Sequence, residues 1–378
     1  MIPNKCIYLD HAASTPVSET LIDFFKKNML DFYANQESVH ASGRFAAQKV
    51  EEASSVLLNV MGASPEKNSI FWTGSASEAF NMAMKNPRFA KGNIVTTAIE
   101  HPALSAAISR TGNRDIRYVR VKKNGSVDIE HWQELLDEQT SLAVVHHVHS
   151  ETGIIQDLIS LSKIKAQYAP QAQFMADTVQ SFGKIPLPWS EANLDYGFIS
   201  GRKIGCLPSA ACIFNTENSE DSAFFASLRK DLHYLGRPEP ALVITLSEAG
   251  RQRVQMLEEN LQTAQKLNEI FRKEILNSPY KDKCVFTVAP EISSSYIIHL
   301  TIAGLQSAIL VRMLSDKGVM LSAGSACQAE GKASEALLGM GYSNIEAYSG
   351  LRISLGYNST ESELRTATKA IMDAIDIY

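Results

Sequence analysis

No run of apolar residues in this 378-residue chain approaches the length of a membrane span. The opening Met-Ile-Pro-Asn-Lys-Cys-Ile-Tyr-Leu-Asp has no signal-peptide core and leads directly into a strand-like segment. Basic charge is not in excess. Lys and Arg number 36 against 41 Asp and Glu, a net charge of −5, so nothing electrostatic favours nucleic acid as a partner. Cysteine is scarce: Cys6, Cys206, Cys212, Cys284 and Cys327 are an odd set without framework spacing. A disulfide scaffold is thereby disfavoured and a reducing cytoplasm expected. Internal repeats, low-complexity tracts and Pro-rich linkers are also missing. What is left is ordinary globular composition, 45% hydrophobic and 20% charged, with length enough for two domains.

The apolar pattern alternates between strands and helices. Ile7-Tyr8-Leu9 reads as an extended entry that leads to small residues, and Val17–Phe32 as a helix. Short apolar runs at Ile70–Trp72, Ile94–Thr97, Ile116–Val121, Leu142–Val145, Phe174–Ala176, Tyr196–Ile199 and Ala210–Phe214 read as strands. That rhythm predicts a mostly parallel sheet covered by helices on both faces. Val254, Leu257, Leu261, Ala264, Leu267, Phe271 and Ile275 predict one long amphipathic helix joining a second domain. That domain holds strand-like Tyr296–Leu300 and Val319–Leu321 and ends in a helix around Leu364, Ala367, Ile371 and Ile375.

Several strand ends carry reactive residues. Tyr196–Ile199 stops at Ser200-Gly201 and presents Arg202 and Lys203. An open α/β sheet binds ligands at such strand ends, and a lysine held partly out of water there loses its proton more readily and can attack a carbonyl. Asp177 ends another buried run, where a carboxylate is costly unless it meets a cation. Ser75-Ala76-Ser77 lies between a strand and a helix, which suits either an ordinary Ser cap or an anion site. Arg352, flanked by Leu351 and Ile353, can grip a carboxylate with two parallel hydrogen bonds. His146, His147 and His149 suggest a metal at first sight, but strand alternation puts only His147 and His149 on one face and no ligand framework surrounds them, so no metal is expected.

Taken together and in order, these stations resemble the cysteine desulfurase branch of the class V aminotransferases, which are fold type I enzymes dependent on pyridoxal 5′-phosphate (PLP). Ser200-Gly201-Arg202-Lys203 resembles the family's Ser-x-His-Lys segment, whose lysine carries the cofactor. Asp177 precedes Lys203 by 26 residues, the family separation, and resembles the aspartate that pairs with the pyridine nitrogen; Gln180 resembles the glutamine at the phenolic oxygen. His101 in Glu100-His101-Pro102 resembles the histidine that stacks on the ring and acts as acid or base. Ser75-Ala76-Ser77 stands where the family binds phosphate. Ser38–Arg44 resembles Ser-x-His-x-x-Gly-Arg. Cys327, in Leu321-Ser-Ala-Gly-Ser-Ala-Cys327, resembles the cysteine that takes sulfur, and Arg352 the arginine that binds the substrate carboxylate. Their separation of 25 positions fits the subgroup with the longer loop.

The chain departs from the family at four places. Arg202 replaces a histidine; Ser150 replaces an asparagine near the cofactor oxygen; the glycine-rich segment after the lysine becomes Ile204–Ser209; and Gly236-Arg237 replaces a Gly-Thr pair that reaches the neighbouring subunit's phosphate. Arg202 and Arg237 would make a more cationic phosphate cup.

The resemblance implies a homodimeric enzyme that converts L-cysteine to L-alanine and passes sulfur, as a persulfide on Cys327, to an acceptor protein. It implies a seven-stranded sheet in a large domain, residues 14–253, and a smaller α+β domain formed by residues 1–13 and 254–378. Cofactor contacts are expected from Ser75, Ala76, Ser77, His101, Ser150, Asp177, Gln180, Ser200, Arg202, Lys203 and Arg237. Two alternatives stay open: aminotransferase or β-lyase chemistry on another amino acid, or a non-catalytic binding protein that keeps the fold.

Overall fold

A computed structural model describes residues 6–230, 237–324 and 332–378. Its centre is a seven-stranded sheet. The strands, after β1 (Ile7–Tyr8), are β2 (Asn68–Thr73), β3 (Asn93–Thr97), β4 (Ile116–Val119), β5 (Thr140–His146), β6 (Gln173–Asp177), β7 (Tyr196–Ser200) and β8 (Ala210–Asn215). They lie in the order β2-β8-β7-β6-β5-β3-β4. Only β8 runs against the others, pairing antiparallel with both β2 and β7. β3, β5, β6 and β8 are almost wholly buried, as strands covered on both faces must be, and this explains their unbroken apolar runs. The first core covers both faces of the sheet, around Leu57, Trp132, Phe174 and Leu246 on one and around Phe80, Phe89, Phe198 and Phe225 on the other. The mostly parallel sheet expected from the sequence is present.

A second core lies around the three-stranded antiparallel sheet β12-β10-β9, made of β9 (Cys284–Phe286), β10 (Ile297–Ile302) and β12 (Gly350–Ser354). The helices Leu257–Leu276, Ser307–Asp316 and Glu361–Ile377 supply Phe271, Leu310, Leu364 and Ile371 to it. The start of the chain belongs here too. β1 pairs parallel with β11 (Val319–Met320), and Leu9 is buried in this core.

The expected long helix through Val254 and Ile275 is two helices. Pro240–Gln255 and Leu257–Leu276 are separated at Met256, whose backbone (φ −100°, ψ 15°) leaves the helical region. Spacing alone does not reveal the break, because apolar residues continue on both sides: Val254 packs with the first core and Leu261 and Leu267 with the second. At the end of β8, the stretch from Asn215 to Asp221, whose polar composition suggests a loop, turns helical at Ser219.

Candidate active site

Ser75, His101, Ser150, Asp177, Gln180 and Lys203 lie at or just beyond the carboxyl ends of β2, β3, β5, β6 and β7, while Arg352 lies within β12. β7 ends at Ser200 and a single 3-10 turn, Gly201–Lys203, follows. The turn is closed by Gly201 N–H to Ser209 O (2.8 Å) and by Ile204 and Cys206 N–H to Gly201 O. Gly201 is required there by space: a Cβ would sit 2.6 Å from Leu207 O and 2.8 Å from Ser209 Oγ.

Residues 9–15 hold this turn to the rest of the site. Thr15 N–H donates to Arg202 O at 2.7 Å, and Lys203 Nζ donates to Ala13 O at 2.6 Å. Ala12 N–H donates to Ser354 Oγ on β12, and Ala12 O accepts from Gln180 Nε2 at 2.8 Å. Asp10 Oδ1 accepts from Arg352 Nη2 at 2.7 Å. The small residues of Asp10–Thr15 therefore do what their size suggests: they let backbone pass close to three different elements.

Burial tunes the reactive groups. Desolvation, helped by the positive charges of Arg352 and Arg202, lowers the Lys203 amine to about 8, against the opposing pull of Asp10 and Asp177. The Asp177 carboxyl is raised to about 6, again mainly by burial. Its Oδ1 accepts from Val179 N–H at 3.0 Å. Behind it lies a second buried acid. Glu100 Oε1 accepts from Thr97 Oγ1 (2.7 Å) and lies 2.9 Å from His146 Nδ1, and His146 sits opposite Asp177 in the β5–β6 register.

His101 caps the helix Pro102–Ser109, its Nδ1 accepting from Ala103 N–H at 3.1 Å, which puts the proton on Nε2. Burial and the charge of Lys203 lower it to about 4, so the ring is neutral at pH 7.

Ser75 is the cap of the helix Ala76–Ala83: its side chain accepts from Glu78 N–H, while Glu78 Oε2 accepts from Gly74 N–H. Among the described residues no partner reaches the N–H groups of Ala76 and Ser77, so two donors at this helix start remain open to an anion. Arg202 is exposed beside the lysine turn. Arg237 is paired with Glu37 and lines a cavity of about 310 Å³ together with Gly74, Glu78 and Ser209.

Arg352 is buried (2% exposed) on β12. Besides Asp10, it donates through Nη1 to Ser150 O at 2.9 Å, while its Nε has no partner among the described residues. Ser150 thus meets the site through its carbonyl. Cys327 lies outside the described residues, as does Gly236. On either side of 325–331 the chain is anchored at the site: Ser322 exchanges backbone hydrogen bonds with Arg352, and Ser334 Oγ donates to Glu151 Oε1 at 2.6 Å.

The histidine run does not follow strand alternation. β5 ends at His146, so it is His146 and His149 whose rings meet, edge to face at 5.0 Å, while His149 Nε2 lies 2.9 Å from Ile99 O. Among the described residues no group of three or more His, Cys, Asp or Glu side chains is placed to hold a metal. Three participants were not read from the sequence. Asp10 and Glu100 stand in quoted motifs but find their partners 342 and 46 residues away. Lys184 lies four residues beyond Gln180 and donates to its Oε1 at 3.0 Å; its signal was a lysine placed right after a buried run.

The family model for class V aminotransferases matches residues 7–208 and 232–366. The chain belongs to the class V aminotransferase family. Relatives of this family member lie in the cysteine desulfurase branch. It is 26% identical to the putative cysteine desulfurase IscS 1 of Bacillus subtilis (strain 168) over 380 residues, 98% of each chain. It is 29% identical to a mitochondrial cysteine desulfurase of Candida albicans over 98% of this chain and 77% of that protein. Its fold is similar to that of a NifS-like protein from Rickettsia africae ESF-5, with a TM-score of 0.85 and 26% identity over 98% and 100% of the two chains.

The family implies PLP, and the residues present fit it. Asp177 is a buried carboxylate whose second oxygen makes no hydrogen bond among the described residues, a place for a cationic ring nitrogen. Lys203 has an amine of lowered basicity, and the helix start at Ala76-Ser77 has free donors for a phosphate.

Proposed function

We propose that this chain is a PLP-dependent cysteine desulfurase that converts L-cysteine to L-alanine and leaves the sulfur as a persulfide on Cys327. The observation that carries the reading is the convergence of Lys203, Gln180 and Arg352 on residues 10–13.

In this reading Arg352 binds the substrate carboxylate. Asp10 and Ser150 O fix its guanidinium, and the unpartnered Nε–H remains for the ligand. PLP, when bound, supplies an electron sink for charge developing at the substrate Cα. Asp177 holds the proton on the cofactor's ring nitrogen. Lys203 takes and returns the Cα proton, a task suited to an amine lowered to about 8. His101, neutral and protonated on Nε2, flanks the ring. The Cys327 thiolate attacks the substrate sulfur: a Cβ–S bond breaks, an S–S bond forms, and the electron pair left on carbon takes up a proton. Cysteine plus enzyme thiol thus gives alanine plus enzyme persulfide, with no external oxidant. Ser75, Ala76, Ser77, Ser200, Arg202 and Arg237 hold the phosphate, Ser150 and Gln180 the phenolic side.

The chain acts as a homodimer with a large domain of residues 14–253 and a small one of 1–13 and 254–378, works in the cytoplasm, and hands sulfur to an acceptor protein. Support for self-association comes from apolar side chains left open near the Ser38–Arg44 stretch, with Leu30 at 78%, Tyr33 at 75% and Val39 at 86% exposure. Among the described residues no helix is long and apolar enough to cross a membrane. The reading is tested by alanine release. Purified protein with PLP should show a visible absorption band that L-cysteine perturbs and should form alanine. Lys203→Ala should lose both band and product. Pyruvate, ammonia and sulfide formed in place of alanine would instead favour β-lyase chemistry.

A further inference from the structure

Lys184 is fully buried at 2% exposure, yet its ammonium has one hydrogen-bond partner among the described residues, Gln180 Oε1 at 3.0 Å. Its surroundings do not welcome it. Lys203 and Arg352, both positive, act on it, and the nearby His11 ring is held neutral by burial and by Lys184's own charge. A buried cation with one neutral acceptor and cationic neighbours is a net burden on the fold, which a methionine of similar length would lift.

What the lysine achieves is orientation. A side-chain amide offers an acceptor on one end and two donors on the other, and which end faces a site decides what the site can bind. Protonated lysine has three donors and no acceptor, so Gln180 must turn Oε1 toward it. At the other end the Ala12 carbonyl can only accept, and Gln180 Nε2 donates to it at 2.8 Å. The two partners agree, and one N–H of Nε2 is left over.

We propose that Lys184 is a positioning residue for the cofactor: it locks the Gln180 amide so that an N–H, never the carbonyl, is presented to the anionic phenolic oxygen of PLP. This rests on the proposed function, in which Gln180 faces that oxygen. Burial and like charges lower Lys184 to about 7, and only the protonated form is a donor without an acceptor, so its hold on the Gln180 orientation weakens as pH rises through that value.

The test is a double-mutant cycle read by PLP titration of apoprotein and by the visible spectrum, without turnover. Lys184→Met should weaken PLP binding about five- to tenfold, the worth of one oriented hydrogen bond. It should shift the visible band and leave the melting temperature of the apoprotein unchanged or raised. In a Gln180→Ala background the same Lys184→Met change should have no further effect, because the lysine acts only through the glutamine. Gln180→Glu, which satisfies Lys184 but has no N–H, should bind PLP as poorly as Gln180→Ala; this arm holds even if Lys184→Met does not fold. Unchanged affinity and band in Lys184→Met, equal losses in both backgrounds, or wild-type affinity in Gln180→Glu would each overturn the proposal while PLP binding by the wild type stands. A wild type that binds no PLP overturns the proposed function itself, and this inference with it.

Discussion

At the scale of single residues, the site uses charges that the fold holds away from water, and each leaves a pH signature. Lys203 has a folded value of about 8 against 10.5 for a free lysine. Between those values the unfolded chain binds the extra proton, so this group's contribution to stability rises with pH across that window. The neutral amine is the form that captures a carbonyl, and at pH 7 about one Lys203 in ten has lost its proton. The rate of PLP capture by apoprotein should therefore climb through pH 8 and level off above it, and Lys203→Ala should show no such rise in stopped-flow absorbance.

Asp177 has the opposite sign. Its folded value of about 6 exceeds the usual 3.8, so the native state binds more protons between these values and loses stability as pH rises through them. Asp177→Asn should make the apoprotein more stable at pH 7, by roughly 1–3 kcal/mol, while PLP binding weakens. Calorimetry of apoprotein and a PLP titration check the two halves. Asp177, Gln180 and Lys203 were legible in the sequence because strand ends and fixed spacing are local properties. The partners that tune them were not: Asp10 meets Arg352, and Glu100 meets His146, only once distant elements pack.

At the scale of elements, the strands were the most readable, since a strand buried on both faces is an unbroken apolar run; β5, β6, β7 and β8 all follow this rule. The break at Met256 was not readable, because two helices that serve different cores can continue one apolar rhythm. Nor was the fate of the histidine run, since alternation holds only while the strand lasts and β5 stops at His146. The turn Gly201–Lys203 is the element that carries the lysine of the proposed reaction. Gly201→Ala forces a methyl against Leu207 O and Ser209 Oγ, and the carbonyl belongs to backbone that closes the turn. The expected loss is about 1–3 kcal/mol of stability, together with weaker PLP binding, seen by thermal unfolding and titration. Unchanged behaviour in both would mean that the turn relaxes freely.

At the scale of the whole molecule, residues 9–15 join two cores. Leu9 is packed in the smaller one, while Ala12, Ala13 and Thr15 are hydrogen-bonded to Gln180, Lys203 and Arg202 of the larger sheet. The lysine of one core and the arginine of the other are thereby tied to the same short segment, Lys203 at Ala13 and Arg352 at Asp10. The open apolar side chains Leu30, Tyr33 and Val39 belong to this scale as well. If they meet a second copy, the double variant Leu30→Lys, Val39→Lys should sediment as a monomer and lose alanine formation while keeping its fold; a variant that remains dimeric would locate the interface elsewhere.

Sulfur transfer to Cys327 is tested by mass spectrometry of the protein after brief exposure to L-cysteine. The peptide that carries Cys327 should gain one sulfur atom, removed by a thiol reductant, absent in Lys203→Ala, and accompanied by an equal amount of alanine. Alanine without sulfur on that peptide, or a wild-type rate in Cys327→Ala, would contradict sulfur transfer to Cys327.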